Sequence, residues 1–135
     1  MNVILCIDDN NGMMFNYRRQ SQDRKLREHI LDLISPDRLW MNSYSGKQFT
    51  DADSARLLID DCFLDKIQTG DYCFIENTDI SPYIKDIEKI ILFKWNRNYP
   101  ADTFFTVDLS EWTLEETEDF AGYSHDKITK EIYRK

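Results

Sequence analysis

Three short apolar runs constrain the fold more than any other feature: Val3–Ile7 (VILCI), Tyr72–Ile75 (YCFI) and Lys89–Trp95 (KIILFKW). A strand with one wet face alternates apolar and polar residues. A strand covered on both faces is apolar along its buried length, as VILCI, YCFI and the IILF at the centre of the third run are. Such strands belong to sheets sandwiched between other layers, and the segments between these runs read as helices. Ser21 is a candidate cap for a helix in which Leu26, Ile30, Leu33 and Ile34 share one face, and Pro36 stops it. Leu39–Met41 reads as a short strand. The string NSYSGKQF that follows it reads as a short helix capped by Ser43 or Ser45. Ala55–Ile59 reads as a strand, and Cys62, Phe63 and Ile67 mark a further helix ended by Gly70. SPYIKDI opens another helix, with Pro82 at its first position.

The end of the chain changes character. Trp112–Phe120 and Lys127–Tyr133 are long, partly alternating segments joined by FAGYSHD, which predicts an antiparallel hairpin. The expected architecture is α/β: a mixed, mostly parallel sheet with flanking helices and a C-terminal antiparallel hairpin. It spans residues 1–135 as a single domain, the size at which one core suffices.

Charge narrows the function. The net charge is −8, which opposes nucleic-acid binding, where phosphates require a basic surface. No apolar run approaches the roughly 20 residues of a membrane span. Asp8 and Asp9 cut short the first apolar run and no basic segment precedes it, so a secretory signal is not expected and a cytoplasmic location is. Cys6, Cys62 and Cys73 lie in apolar or strand-like contexts and read as buried, reduced thiols. With two histidines and no metal-ligand spacing, no metal site is expected.

One stretch resists a simple assignment. Asp8–Asp23, DDNNGMMFNYRRQSQD, is too long for a plain turn and carries Arg18 and Arg19 in an acidic chain. It is a surface connection or the lid of a site.

The order of elements and several strings resemble the dihydrofolate reductase family. IEKIILFKWNRNYPADTFFTVDLSEWTLEET resembles that family's long strand, loop, DT-x-F string and the tryptophan that opens the last hairpin. SHDKITKEIYRK is similar to the closing strand, and ILCIDDNNGMMFN to the first strand and the start of the mobile loop over the active site. LWMNSYSGKQF lies where the family has a strand and a helix that receives cofactor phosphate, which implies an anion site at Ser45. The resemblance implies that Asp23 stands at the family's catalytic carboxylate. An acidic residue there also favours the helix dipole without any ligand. Arg27 stands where an aromatic usually faces the substrate, turned toward the pocket with Asp23 as its partner, and Phe93 where a small hydroxyl residue supports the carboxylate. Asp102 and Ser124 would lie on loops beside the lid and hold it closed, or serve only as turn residues.

The cofactor side departs from the family. FIENTD replaces its double glycine, so Glu76 would repel a pyrophosphate and side chains would block its approach. Ser43 replaces a basic residue that pairs the 2′-phosphate, and Tyr17, Arg18 and Arg19 replace a Pro-Trp pair. The expectation is a small-molecule binding protein on a reductase-like scaffold with no NADPH cofactor. Its anionic or nucleotide-like ligand would lie beside Asp23 and Arg27, near Arg18, Arg19, Ser45, Glu76 and Phe93. A divergent reductase with altered cofactor binding is the alternative. A nuclease of the ribonuclease Z type is disfavoured, because such an enzyme needs a histidine-rich metal motif.

Overall fold

The three apolar runs lie side by side. In the computed structural model, which describes residues 1–135, β1 (Asn2–Ile7) is parallel to β6 (Tyr72–Phe74) on one side and to β7 (Lys89–Lys94) on the other. Outside β6 lie β4 (Leu39–Met41) and then β5 (Leu57–Ile59), both parallel. Outside β7 lie β10 (Ile128–Arg134) and β9 (Thr113–Phe120), both antiparallel. The seven strands therefore run β5-β4-β6-β1-β7-β10-β9. Both edges are open: β5 is three residues long, and β9 is exposed along almost all of its acidic length.

Alternate residues of the central strands feed two cores. Val3, Leu5, Ile7, Ile90 and Leu92 pack with Phe63, Ile80, Ile87 and Phe105 on one face. Ile4, Ile91, Phe93 and Trp95 pack on the other against Leu26, Ile30 and Ile34 of α1 (Arg24–Ile34). Double-sided burial is the reason these strands carry no polar alternation.

The helical layer is thinner than the sequence suggests. Alongside α1 the only other α-helical segment is the four-residue α2 (Ser43–Gly46). Phe63–Asp65 and Ser81–Asp86 form 3₁₀ turns in place of helices. Each segment has too few residues before the next strand to repay helix nucleation. The caps differ as well. Asp23, not Ser21, caps α1, accepting from the N–H groups of Lys25 and Leu26. Asn42, not Ser43 or Ser45, caps α2.

The stretch from Asp8 to Asp23 is an ordered hairpin, not an open loop. β2 (Gly12–Phe15) and β3 (Arg18–Arg19) pair antiparallel, with β8 (Thr103–Phe104) on the far side of β2. At its turn Asn16 and Tyr17 have φ of 51° and 62°, the two positive φ values of a type I′ turn. Tyr17 is 92% exposed at the tip.

Leu5 is fully buried on β1, in register with Leu92 of β7. Leu5→Ala is expected to lower stability by about 2–5 kcal/mol, read as a fall in the urea midpoint at unchanged slope.

Candidate functional site

In open sheets ligands bind beyond the carboxyl ends of strands where connections diverge. Here that point is β1, whose neighbours β6 and β7 lie on opposite sides. Cys6, Ile75, Glu76 and Trp95 line a crevice at these strand ends, closed from above by Arg19, Gln20 and Ser21 of the hairpin.

Two buried carboxylates hold the hairpin over the crevice. Asp8 Oδ1 accepts from the N–H of Asn10 and Gly12 at 2.9 and 2.7 Å. Its Oδ2 accepts from Gln20 Nε2 and the N–H of Tyr99, both at 3.1 Å. Burial works to raise the Asp8 pKa, but these donors outweigh it and hold the carboxyl below its ordinary range. Gly12 is required by contact: a Cβ there would lie 2.6 Å from both Ala101 Cβ and Gln20 Nε2.

Asp23 is the more deeply engaged of the two. Oδ1 accepts from the N–H of Lys25, Leu26 and Tyr123 at 2.9, 3.2 and 2.9 Å. Oδ2 accepts from the Ser124 N–H at 2.9 Å, the Ser124 hydroxyl at 3.3 Å and His125 Nδ1 at 2.9 Å. Burial pushes its pKa up, yet these donors carry it well below the usual carboxylate range. The segment 122–125 can wrap this close because residue 122 is glycine; a Cβ there would lie 2.7 Å from Asp23 Oδ2.

Because ionised Asp23 only accepts, His125 presents Nδ1–H to it, which makes Nε2 the accepting nitrogen whenever the ring carries a single proton. Its Nε2 lone pair then faces two hydroxyls, Ser21 Oγ at 3.0 Å and Tyr99 Oη at 3.2 Å. Trp95 stacks on the ring at 4.6 Å.

Arg19 fills the rest of the crevice. Its Nε and a terminal amino group donate to Glu76 Oε2 and Oε1 at 2.9 and 3.1 Å, and its guanidinium lies 4.4 Å from the Tyr44 ring. Gln48 Nε2 also donates to Glu76 Oε2, at 3.1 Å. The remaining cavity is about 10 Å³, room for at most one water.

The site residues expected from the sequence are thus dispersed. Arg27 does not pair with Asp23 and does not face the crevice. It donates to Asp51 on the flank of α1, a hundred degrees round from the inward-facing Leu26. Phe93 is closed off in the core, edge-on to Phe120. Ser45 is fully buried, and its N–H already serves Asn42. At four residues, α2 is too short to gather a useful dipole. Glu76 meets Arg19 instead of standing free. Asp102 accepts from the Asn16 N–H at the hairpin turn, whereas Ser124 engages Asp23. Arg18 is exposed on the outer side of the hairpin.

The cysteines also divide. Cys73 is buried, its thiol pushed up to about 12 chiefly by burial. Cys6 is raised by burial and by Glu76. Cys62, expected to be buried, is exposed after a tight turn capped by Asp60. No group of three or more His, Cys, Asp or Glu side chains is arranged to hold a metal ion, and no helix is long and apolar enough to cross a membrane.

No family model matches the chain, and no curated protein matches it in sequence. The solved structures do. A dihydrofolate reductase from Enterococcus faecalis, complexed with NADP(H) and RAB-propyl, superposes with a TM-score of 0.68. The match covers 98% of this chain and 94% of that one at 11% identity. The chain has a dihydrofolate reductase-like fold. At this identity the likeness carries the fold and no residue roles. Sequence reasoning missed His125, Tyr44 and Gln48 as members of this site and assigned Ser21 only a cap. The one available signal was that His125 adjoins Ser124, which the resemblance had placed beside the lid.

Replacing the buried carboxylate tests its role. Asp23→Asn is expected to cost about 3 kcal/mol at neutral pH. The sign for pH follows from the lowered folded pKa. The stabilisation is complete above the unfolded value of about 4 and is lost as pH falls below it. Urea titrations should show the native protein losing stability below about pH 4, with a shallower acid limb for Asp23→Asn.

Proposed function

We propose that the protein is a small-molecule binding protein that uses the reductase-like scaffold without hydride transfer. Its ligand is a small nucleotide-like anion, held outside β3 and not beside Asp23 and Arg27. The observation that carries this reading is a groove of about 310 Å³, lined by Phe15, Asn16, Arg18, Arg19, Gln20, Tyr99 and Pro100. That volume lies within the range of ligand sites. Phe15 is 47% exposed and offers an apolar ring face. Arg19 and Arg27 are committed to Glu76 and Asp51, whereas Arg18 is left exposed without such a partner. A guanidinium beside two aromatic rings suits a ligand with a planar base and a phosphate.

Two features support the absence of NADPH chemistry. Glu76 places a carboxylate at the strand end where the resembling family has glycine, and the Arg19–Glu76–Gln48 cluster takes up the space beneath the hairpin. The alternative, a divergent reductase, draws on the NADP(H) in the superposed structure.

Calorimetric titration separates the two readings. The expected result is no saturable heat with NADPH up to about 1 mM, with saturable binding of a nucleoside phosphate that Arg18→Ala weakens about 10-fold. Micromolar, saturable NADPH binding with oxidation of NADPH by a pterin would overturn the proposal.

A further inference from the structure

The Asp23–His125 pair ends on a serine. We propose that Ser21 is a nucleophile, with His125 as its general base and Asp23 as the group that orients the imidazole, and that the three form an acyl-transfer site for small esters. The inference is independent of the binding groove outside β3.

The geometry meets the requirements of such a relay in turn. Ser21 Oγ lies 3.0 Å from His125 Nε2, and His125 Nδ1 lies 2.9 Å from Asp23 Oδ2. Both distances fall in the range of an activated nucleophile and its base. Asp23 is buried but kept anionic by backbone donors. It therefore fixes the proton on Nδ1 and leaves Nε2 free to accept. The stacked Trp95 holds the ring plane. Ser21 is partly buried at the end of the hairpin, and because the crevice beneath it has room for at most one water, an ester has to reach its hydroxyl from the solvent side. The constellation is defined by geometry and role; the three residues come from two segments about a hundred positions apart.

In the step assigned to the site, Ser21 Oγ attacks the ester carbonyl carbon while its proton passes to His125 Nε2. The C–O bond to the leaving alcohol breaks, and the alcohol takes that proton. Water then attacks the acyl-serine, gives its own proton to Nε2, and the carboxylic acid leaves as Ser21 recovers its hydrogen. No metal, oxidant or reductant enters this balance.

Tyr99 is the competitor, because its hydroxyl reaches the same lone pair at 3.2 Å. That makes the test specific. The full chain is treated with a small fluorophosphonate, which loses fluoride as a serine oxygen bonds to phosphorus, and is followed by intact mass and peptide mapping. The expected result is a single adduct on Ser21, absent in Ser21→Ala. It should form at least about 100-fold more slowly in His125→Gln, the span of general-base assistance. Tyr99→Phe frees the lone pair for Ser21 and should label faster than the native protein, a change that a purely structural serine would not produce. Three results would overturn the proposal: no adduct on the folded native chain at millimolar reagent, an adduct on Tyr99 instead, or an adduct on Ser21 whose rate Tyr99→Phe leaves unchanged.

Discussion

Keeping two carboxylates ionised away from water is the constraint on which the arrangement of this molecule rests. A buried carboxylate without partners would take up a proton or unfold its surroundings. Asp8 and Asp23 instead sit in cradles of backbone N–H groups drawn from distant segments. Asp8 ties the end of β1 to the hairpin and to the loop after β7. Asp23 ties the start of α1 to the turn between β9 and β10. Tyr99 belongs to both, through its N–H at Asp8 and its hydroxyl at His125. The two cradles are therefore one polar framework laid across the strand ends, and the glycines at 12 and 122 are the points where the backbone must come closest to the charge.

The hairpin's position follows from that framework. Gln20 is held by Asp8, Ser21 by His125 and Arg19 by Glu76. Three consecutive residues thus bond to three separate elements, while the far end of the hairpin carries an exposed tyrosine. The hairpin covers the strand ends of this sheet, and its own Arg19 occupies the space beneath.

The sheet was legible in the sequence because burial on both faces leaves a local record. VILCI and KIILFKW could be read without knowing their neighbours. The C-terminal hairpin left a similar record in its two long segments. The site left almost none. Asp23 and His125 are 102 positions apart, and neither stands in a motif that points to the other. Arg27 was misplaced because the resemblance, not the residue pattern, turned it toward the pocket; one position on from the buried Leu26 it lies on the flank of the helix and pairs with Asp51. The short 3₁₀ turns were read as helices because one turn of apolar spacing does not distinguish the two.

The open edges of the sheet have a consequence for what this chain can join. An unpaired strand is a template for another strand. β5 offers only Leu57–Ile59, too short a ladder to recruit one firmly. β9 is long enough, but Glu115, Glu116, Glu118 and Asp119 line it. Arg134, Lys130 and Thr129 of β10 engage those side chains from within the same molecule. A second acidic edge brought alongside would meet repulsion before it met hydrogen bonds. The sheet is thus closed to further growth by brevity on one side and by charge on the other, and the means on the second side weakens as acid or salt removes the charge.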